Sequence, residues 1–270
     1  MAIERVNGVD FYYELHGAGE PLVFVHGYTG DVTDWRFQIP EFSRSHRVLV
    51  FDHRGHGRSS APADRAAYSI EQMADDVEAL AGRAGFARYH LVGHSMGGAV
   101  VQEVALRSPG RLMSLTLHDT GPTFNLHRNA AVAAYIAQRQ KLAEERGMAA
   151  VAEQPSPLPP PPHMPPEREE EMRRRLAAMP VDGFIGAWQA LATWRGTTDR
   201  AAAIATPTMV IYGELDAGLI DGARYLAETI PGAVLEVVPE AGHSPQYERP
   251  ELFNAALRRH LERNAGASAK

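Results

Sequence analysis

Short apolar runs alternate along this chain with longer runs whose apolar residues recur at helical spacing, and no other feature restricts the fold as much. Val9–Leu15, Leu22–His26, Arg47–Phe51, Tyr89–Val92 and Leu112–Leu117 read as strands. The last three are apolar at consecutive positions, the pattern of strands buried on both faces. Helical stretches lie between them, roughly Thr33–Ser43, Ile70–Ala84 and Met96–Arg107. In the second, Ile70, Met73, Ala74, Val77, Leu80 and Ala81 form one apolar stripe. Strands alternating with helices predict an α/β chain, with a parallel sheet flanked by helices.

The alternation stops near Thr120 and resumes near Pro207, where TPTMVIYG reads as a buried strand. A helix near Leu219–Ile230, a strand at Ala233–Val238 and an amphipathic helix over Pro250–Arg263 follow. The intervening segment shows no strand pattern. It holds an Ala-rich helix (Asn129–Arg146), a proline run from Pro155 to Pro166, a charged helix (Glu167–Ala178) and a third helix (Val181–Trp194). The expected organisation is a core of residues 1–120 and 201–264, interrupted by an all-helical lid over 121–200. The Pro159–Pro162 stretch favours extended polyproline backbone and reads as a stiff spacer. The small, polar residues 265–270 are expected to be a disordered tail.

Composition narrows the function classes. The 270 residues are 44% hydrophobic, enough for one sizeable core, and a net charge of −6 argues against a nucleic-acid binder. No apolar run reaches the roughly 18 residues of a membrane span. The first residues carry acids and no apolar secretory core, so a cytoplasmic protein is expected. With no cysteine, disulfides, thiolate nucleophiles and thiolate metal sites are all excluded.

Gly93-His94-Ser95-Met96-Gly97-Gly98 follows one apolar strand and opens a helix. A serine on so sharp a strand-to-helix turn is crowded by the residues two before and two after it, and Gly93 and Gly97 remove the side chains that would clash. Its hydroxyl then stands at a helix N-terminus, where the Met96 N–H can face a developing oxyanion. A serine hydroxyl attacks only with a base beside it, and the base needs an orienting acid.

On these motifs the chain resembles the α/β-hydrolase superfamily, and within it the small capped esterase, lactonase and perhydrolase relatives. The resemblance implies a mostly parallel eight-stranded sheet with a helical cap inserted after the sixth strand. It implies a second oxyanion donor after the third strand, where this chain has His26-Gly27-Tyr28, so that the Tyr28 N–H joins that of Met96. The Tyr28 side chain is expected to pack at the site mouth, with a hydrogen bond to substrate as the other reading. Asp52-His53-Arg54-Gly55-His56-Gly57-Arg58-Ser59 resembles a structural loop of that superfamily. A tight turn held by an Asp52–Arg54 or Asp52–Arg58 pair outweighs a metal at His53 and His56, which have no carboxylate cluster to complete it.

The same resemblance places the acid in Gly213-Glu214-Leu215-Asp216, at Asp216, with Glu214 beside it and Asp119 after the preceding strand as the alternatives. Of the twelve histidines, His243 in Gly242-His243-Ser244-Pro245 matches the superfamily's base. His94 reads as a packing or hydrogen-bonding residue, and His26 as structural. The implied catalytic set is Ser95, His243 and Asp216, with no metal and no organic cofactor.

Phe184, Trp188, Leu191 and Trp194 recur at helical spacing, and Phe124, Tyr135 and Ile136 lie earlier in the helical segment. Lid core explains such a face as well as substrate contact does. Phe124, Tyr135, Phe184, Trp188 and Trp194 are nonetheless the pocket candidates, for an apolar, small to medium ester. Arg195 is the one cation considered for a charged substrate group. The expected activity is that of a carboxylesterase on a small-molecule substrate, without nucleic acid or membrane, in a monomer or homodimer. Carbon–carbon bond hydrolases, enol-lactonases and cofactor-free perhydrolases share the same parts, and a ligand receptor on a hydrolase scaffold is the non-enzymatic alternative. Dehalogenases and epoxide hydrolases, which use an aspartate nucleophile, are excluded by Ser95.

Overall fold

The computed structural model describes residues 2–124, 130–154 and 163–266. Asn129, Pro155–Pro162 and the end of the tail (267–270), on which some of the sequence expectations fall, lie outside them.

Eight strands form one sheet: β1 (Ala2–Val6), β2 (Val9–His16), β3 (Glu20–Val25), β4 (His46–Phe51), β5 (Tyr89–His94), β6 (Leu112–His118), β7 (Thr208–Gly213) and β8 (Val234–Val238). Their order is β1-β2-β4-β3-β5-β6-β7-β8. β1 pairs antiparallel with β2 and β2 with β4; every later pairing is parallel. β1 carries only one buried residue, Val6, so the sequence offered no apolar run to reveal it.

Two apolar layers cover the sheet. Along β3 the side chains alternate, as the period of a strand requires. Val23 and Val25 join the layer of α2 (Ile70–Arg83) and α3 (Met96–Arg107), while Leu22 and Phe24 join that of Trp35, Phe42 and α9 (Pro250–Arg263). The stripe expected on α2 is the face it buries. Ser69 caps this helix by accepting from the Gln72 N–H, and Gly85 leaves it at φ +77°.

One expected helix is not continuous. Over Thr33–Ser43 the chain forms a 3-10 turn (Val32–Trp35) and then a single helical turn, α1 (Ile39–Phe42). Pro40 offers no N–H and so sits only in the first turn of a helix.

Between β6 and β7 the described residues hold α4 (Ala130–Ala152), α5 (Pro166–Ala178) and α6 (Val181–Thr193); α4 runs past Arg146, with a kink at Gly147. They share a small core of Ala143, Met148, Val151, Met179, Phe184 and Ile185. Charged ties bind them to the strand-bearing part: Asp34 to Arg168 and Arg175, Arg36 to Glu171, and Arg65 to Glu144 and Asp182. The remaining helices are α7 (Ile220–Thr229) and the single turn α8 (Pro245–Glu248).

β3 has β4 on one side and β5 on the other, so the strand order reverses there. Open α/β sheets bind ligands at such a switch point, beyond the C-terminal ends of the strands. The loops leaving β3 and β5 carry His26-Gly27-Tyr28 and Ser95.

Candidate active site

Ser95 joins β5 to α3 at φ 53° and ψ −114°, backbone that costs an L-residue energy. The turn is held on both sides: the Ser95 N–H donates to the His118 carbonyl at 2.9 Å, and Thr120 Oγ1 donates to the Ser95 carbonyl at 3.0 Å. A Cβ on Gly93 would come within 2.4 Å of the Gly97 carbonyl oxygen, and one on Gly97 within 2.4 Å of the Val25 oxygen. Both glycines are therefore steric requirements of the turn. Gly27 also packs tightly, since a Cβ there would lie 3.1 Å from the Ser95 Cβ. The loop after β3 thus runs directly against the serine, and Met96 begins α3, where backbone N–H groups lack helical partners.

The Tyr28 ring stacks on Phe184 at 5.5 Å and meets Trp188 at 5.7 Å, and its hydroxyl donates to the Phe184 carbonyl at 2.8 Å. Its side chain is therefore committed to α6.

At the ends of β6 and β7, three ionisable groups converge. His243 Nδ1 lies 2.8 Å from Asp216 Oδ2. The ligating atoms of Asp119, Asp216 and His243 all fall within 4.8 Å of one another. Glu214 points elsewhere: it is exposed, and its carboxylate accepts from the Glu240 N–H at 3.0 Å. The His243 loop is clamped by Glu248, which accepts from the Gly242 and Ser244 N–H groups at 2.7 and 2.9 Å. His94 Nε2 donates to the His243 carbonyl at 2.7 Å. Sequence reasoning missed Glu248, which sits on a separate element, and gave Asp119 only as an alternative acid; the fold sets it beside both Asp216 and His243.

The charges divide sharply. Loss of solvent opposes the His243 imidazolium, but the hydrogen bond and charge of Asp216 outweigh it and push the group up from 6.5 to about 9. Burial also opposes the Asp216 carboxylate, yet His243 holds it below the usual range. Asp119, fully buried with Asp216 as neighbour, is raised well above it. Two carboxyls this close cannot both ionise, so one keeps its proton.

The other predicted residues separate. Trp188 lines a cleft of about 330 Å³ with Ala133, Ile136 and Gln140 of α4. Trp194 faces away from it, in the main core, where its Nε1–H donates to Glu103 at 2.8 Å and Phe124 packs beside it at 6.3 Å. Phe184 is buried in the small helical core. Tyr135 accepts from Arg139 on its own helix. Arg195 is an exposed partner of Asp199. Asp52 accepts from the N–H groups of Val32 and Arg58, both at 2.8 Å, with the Arg58 side chain 3.7 Å away. The expected Asp52–Arg54 pair is absent because Arg54 instead grips buried Asp76 through two 2.7 Å bonds. His53 and His56 are buried among aromatic rings and His26.

A family model described as the alpha/beta hydrolase fold matches residues 20–250. A protein of Stutzerimonas stutzeri (strain A1501), provisionally named carbamate hydrolase RutD, is 32% identical over 96% of this chain and 99% of its own length. The dihydrolipoyllysine-residue acetyltransferase component of the acetoin cleaving system of Pseudomonas putida is 31% identical over 92% of this chain, which spans 66% of that protein. Among solved structures, a thermophilic esterase from Thermogutta terrifontis superposes with a TM-score of 0.84 at 29% identity, covering 97% of each chain. The chain belongs to the α/β hydrolase fold family and is an enzyme of that family.

Proposed function

We propose that this enzyme cleaves carboxylic esters with small to medium apolar groups through an acyl-enzyme formed on Ser95. The observation that carries the reading is the 2.8 Å Asp216–His243 contact, taken with Ser95 on a strained, glycine-walled turn whose neighbour His94 holds the His243 carbonyl. In this mechanism His243 takes the Ser95 proton as the oxygen attacks the carbonyl, and Asp216 fixes the imidazole tautomer and stabilises its cation. The N–H groups of Met96 and Tyr28 hold the oxyanion, and water activated by the same histidine releases the acid. Residues 121–200 act as a cap that shapes the acyl pocket, with Trp188 as its aromatic wall, and residues 1–120 and 201–264 form the catalytic core.

The ester preference rests on the esterase likeness and the apolar cleft beside Trp188. A carbamate substrate is the second reading, favoured by the relative covering 99% of its own length. A screen of p-nitrophenyl esters of rising acyl length, lactones, alkyl carbamates and a ring-cleavage dienoate tests both. Turnover of esters at least tenfold above the rest, lost in Ser95→Ala, supports the proposal. A carbamate or dienoate turned over faster than every ester overturns the substrate class.

A further inference from the structure

We propose that Glu20, His46 and His90 form a binding site for a divalent transition-metal ion of the zinc class, at the sheet edge opposite Ser95. Parallel strands bring their first residues together. Glu20 opens β3 and stands in register with His46, which opens β4, while His90 lies on β5 opposite Leu22. One ligating atom from each of the three residues falls within 4.8 Å of the others.

The Glu20–His90 separation suits a metal better than a hydrogen bond. His90 Nε2 lies 3.4 Å from Glu20 Oε2. Charge-assisted hydrogen bonds are shorter, about 2.7–2.9 Å. The edge of a tetrahedron with bonds of about 2.0–2.1 Å to zinc is about 3.3 Å.

An outer layer already orients the ligands. Ser114 Oγ engages His90 Nδ1 at 2.8 Å, Ser45 Oγ engages His46 Nδ1 at 2.9 Å, and the Gly266 N–H donates to Glu20 Oε1 at 2.8 Å. Such contacts fix ring orientation and leave the other nitrogen to the ion. His90 is fully buried, so its Nε2 meets Glu20 away from bulk water. Two imidazoles and one carboxylate favour zinc-like ions over magnesium or calcium. Beside them opens a cleft of about 290 Å³, lined also by Glu41, Glu262 and Arg258, where a water can complete the coordination. Arg258 is paired with Glu41, so the cleft keeps a negative balance that favours a cation. Ser95 lies five residue steps along the chain from His90, about 16 Å, so the ion would clip strand ends and take no part in hydrolysis.

Titration of the full chain with Zn2+ by calorimetry, and with Co2+ by its visible spectrum, tests the site. One ion is expected, with tetrahedral Co2+ bands and a Tm that rises with free Zn2+. Glu20→Gln and His46→Ala, both at partly exposed positions, are expected to weaken binding at least tenfold and abolish the Tm rise, with ester hydrolysis by the metal-free protein unchanged. His243→Ala must keep the binding, because Asp119, Asp216 and His243 are the other such group among the described residues. Equal binding by wild type and the Glu20 and His46 variants, or binding lost only in His243→Ala, overturns the proposal.

Discussion

His118 Nδ1 lies 2.8 Å from Asp119 Oδ2, and both side chains are fully buried. His118 Nε2 is 2.7 Å from Gln246 Oε1, an atom that only accepts, so the imidazole proton sits on Nε2 and Nδ1 is a bare lone pair. Burial holds His118 down to about 3, so the ring is neutral. An ionised Asp119 would then set two lone pairs against each other in the core. Asp119 therefore carries a proton. Asn mimics that neutral carboxyl, with an oxygen for the Gly213 N–H that now donates to Asp119 at 3.0 Å. Asp119→Asn is expected to keep kcat/KM within about tenfold of wild type. Asp119→Ala, which leaves the Gly213 N–H without this acceptor, is expected to lose about 1–3 kcal/mol of stability. Steady-state kinetics and denaturant unfolding of both variants check this; an Asp119→Asn protein that folds but is as inactive as a triad knockout would make Asp119 the acid.

Asp216 makes the opposite prediction. Asp216→Asn should lower kcat by about ten thousandfold, because the amide favours the wrong imidazole tautomer. Glu214→Gln should retain nearly full activity, as the Glu214 carboxylate is exposed and accepts from the Glu240 N–H, away from His243.

The pH profile follows from the same pair. The base must be neutral to accept the Ser95 proton, so kcat/KM rises with pH as His243 loses its charge. Asp216 pushes His243 above 6.5, to about 9. The proton on Asp119 withdraws part of that push, so the acid limb is expected between 6.5 and 9. In the residual activity of Asp216→Asn it should move back towards 6.5. A wild-type limb below 6.5 would contradict this electrostatic assignment.

The strand-bearing part was legible because its central strands are buried and mostly apolar and its turn is written in nearby glycines, as at Gly93 and Gly97. What escaped lies in pairings between distant positions. Arg54 sits two residues from Asp52, yet the fold delivers it to Asp76 on α2. Trp194 recurs at helical spacing with Trp188, but α6 ends at Thr193, and the extended backbone at Trp194 turns its ring towards Glu103. Glu20, His46 and His90 are spread over three strands and resemble no metal motif until the parallel register sets them side by side.

Asp34 should control how firmly α5 is held. Its side chain is 8% exposed and bonds Arg175 at 2.7 Å and, closely, Arg168. Burial favours the neutral acid, but the two guanidinium groups overcome it and hold the carboxyl well below its usual range. Because the folded pKa is depressed, this stabilisation is complete above the unfolded value near ~3.9 and is lost as pH falls through the folded one. Asp34→Asn leaves two buried cations short of their partner, at a cost of about 3–5 kcal/mol. For a chain of this size that is a Tm lower by roughly 6–20 °C. Calorimetry at pH 7 checks it; a Tm within about 2 °C of wild type would show that Asp31 and Glu171 hold the arginines without Asp34.

The two tryptophans of the α6 region should behave differently. Trp188 meets the Tyr28 ring at 5.7 Å and lines the cleft between α4 and α6, so Trp188→Ala removes an aromatic contact from that residue of the proposed oxyanion loop. It is expected to shift the preference among ester chain lengths by about 1–3 kcal/mol, towards longer acyl groups. Trp194 packs in the main core and donates to Glu103, whose carboxylate also holds Arg200 at 2.6 Å. Trp194→Phe keeps the apolar contact and removes the donor, so it should cost about 1–3 kcal/mol of stability and leave relative rates across the series level. Measuring Tm and the kcat/KM profile on the same preparations separates these roles. A flat profile in Trp188→Ala with a lowered Tm would reduce Trp188 to a packing residue between α4 and α6, and the acyl pocket would have to be sought elsewhere along the strand ends.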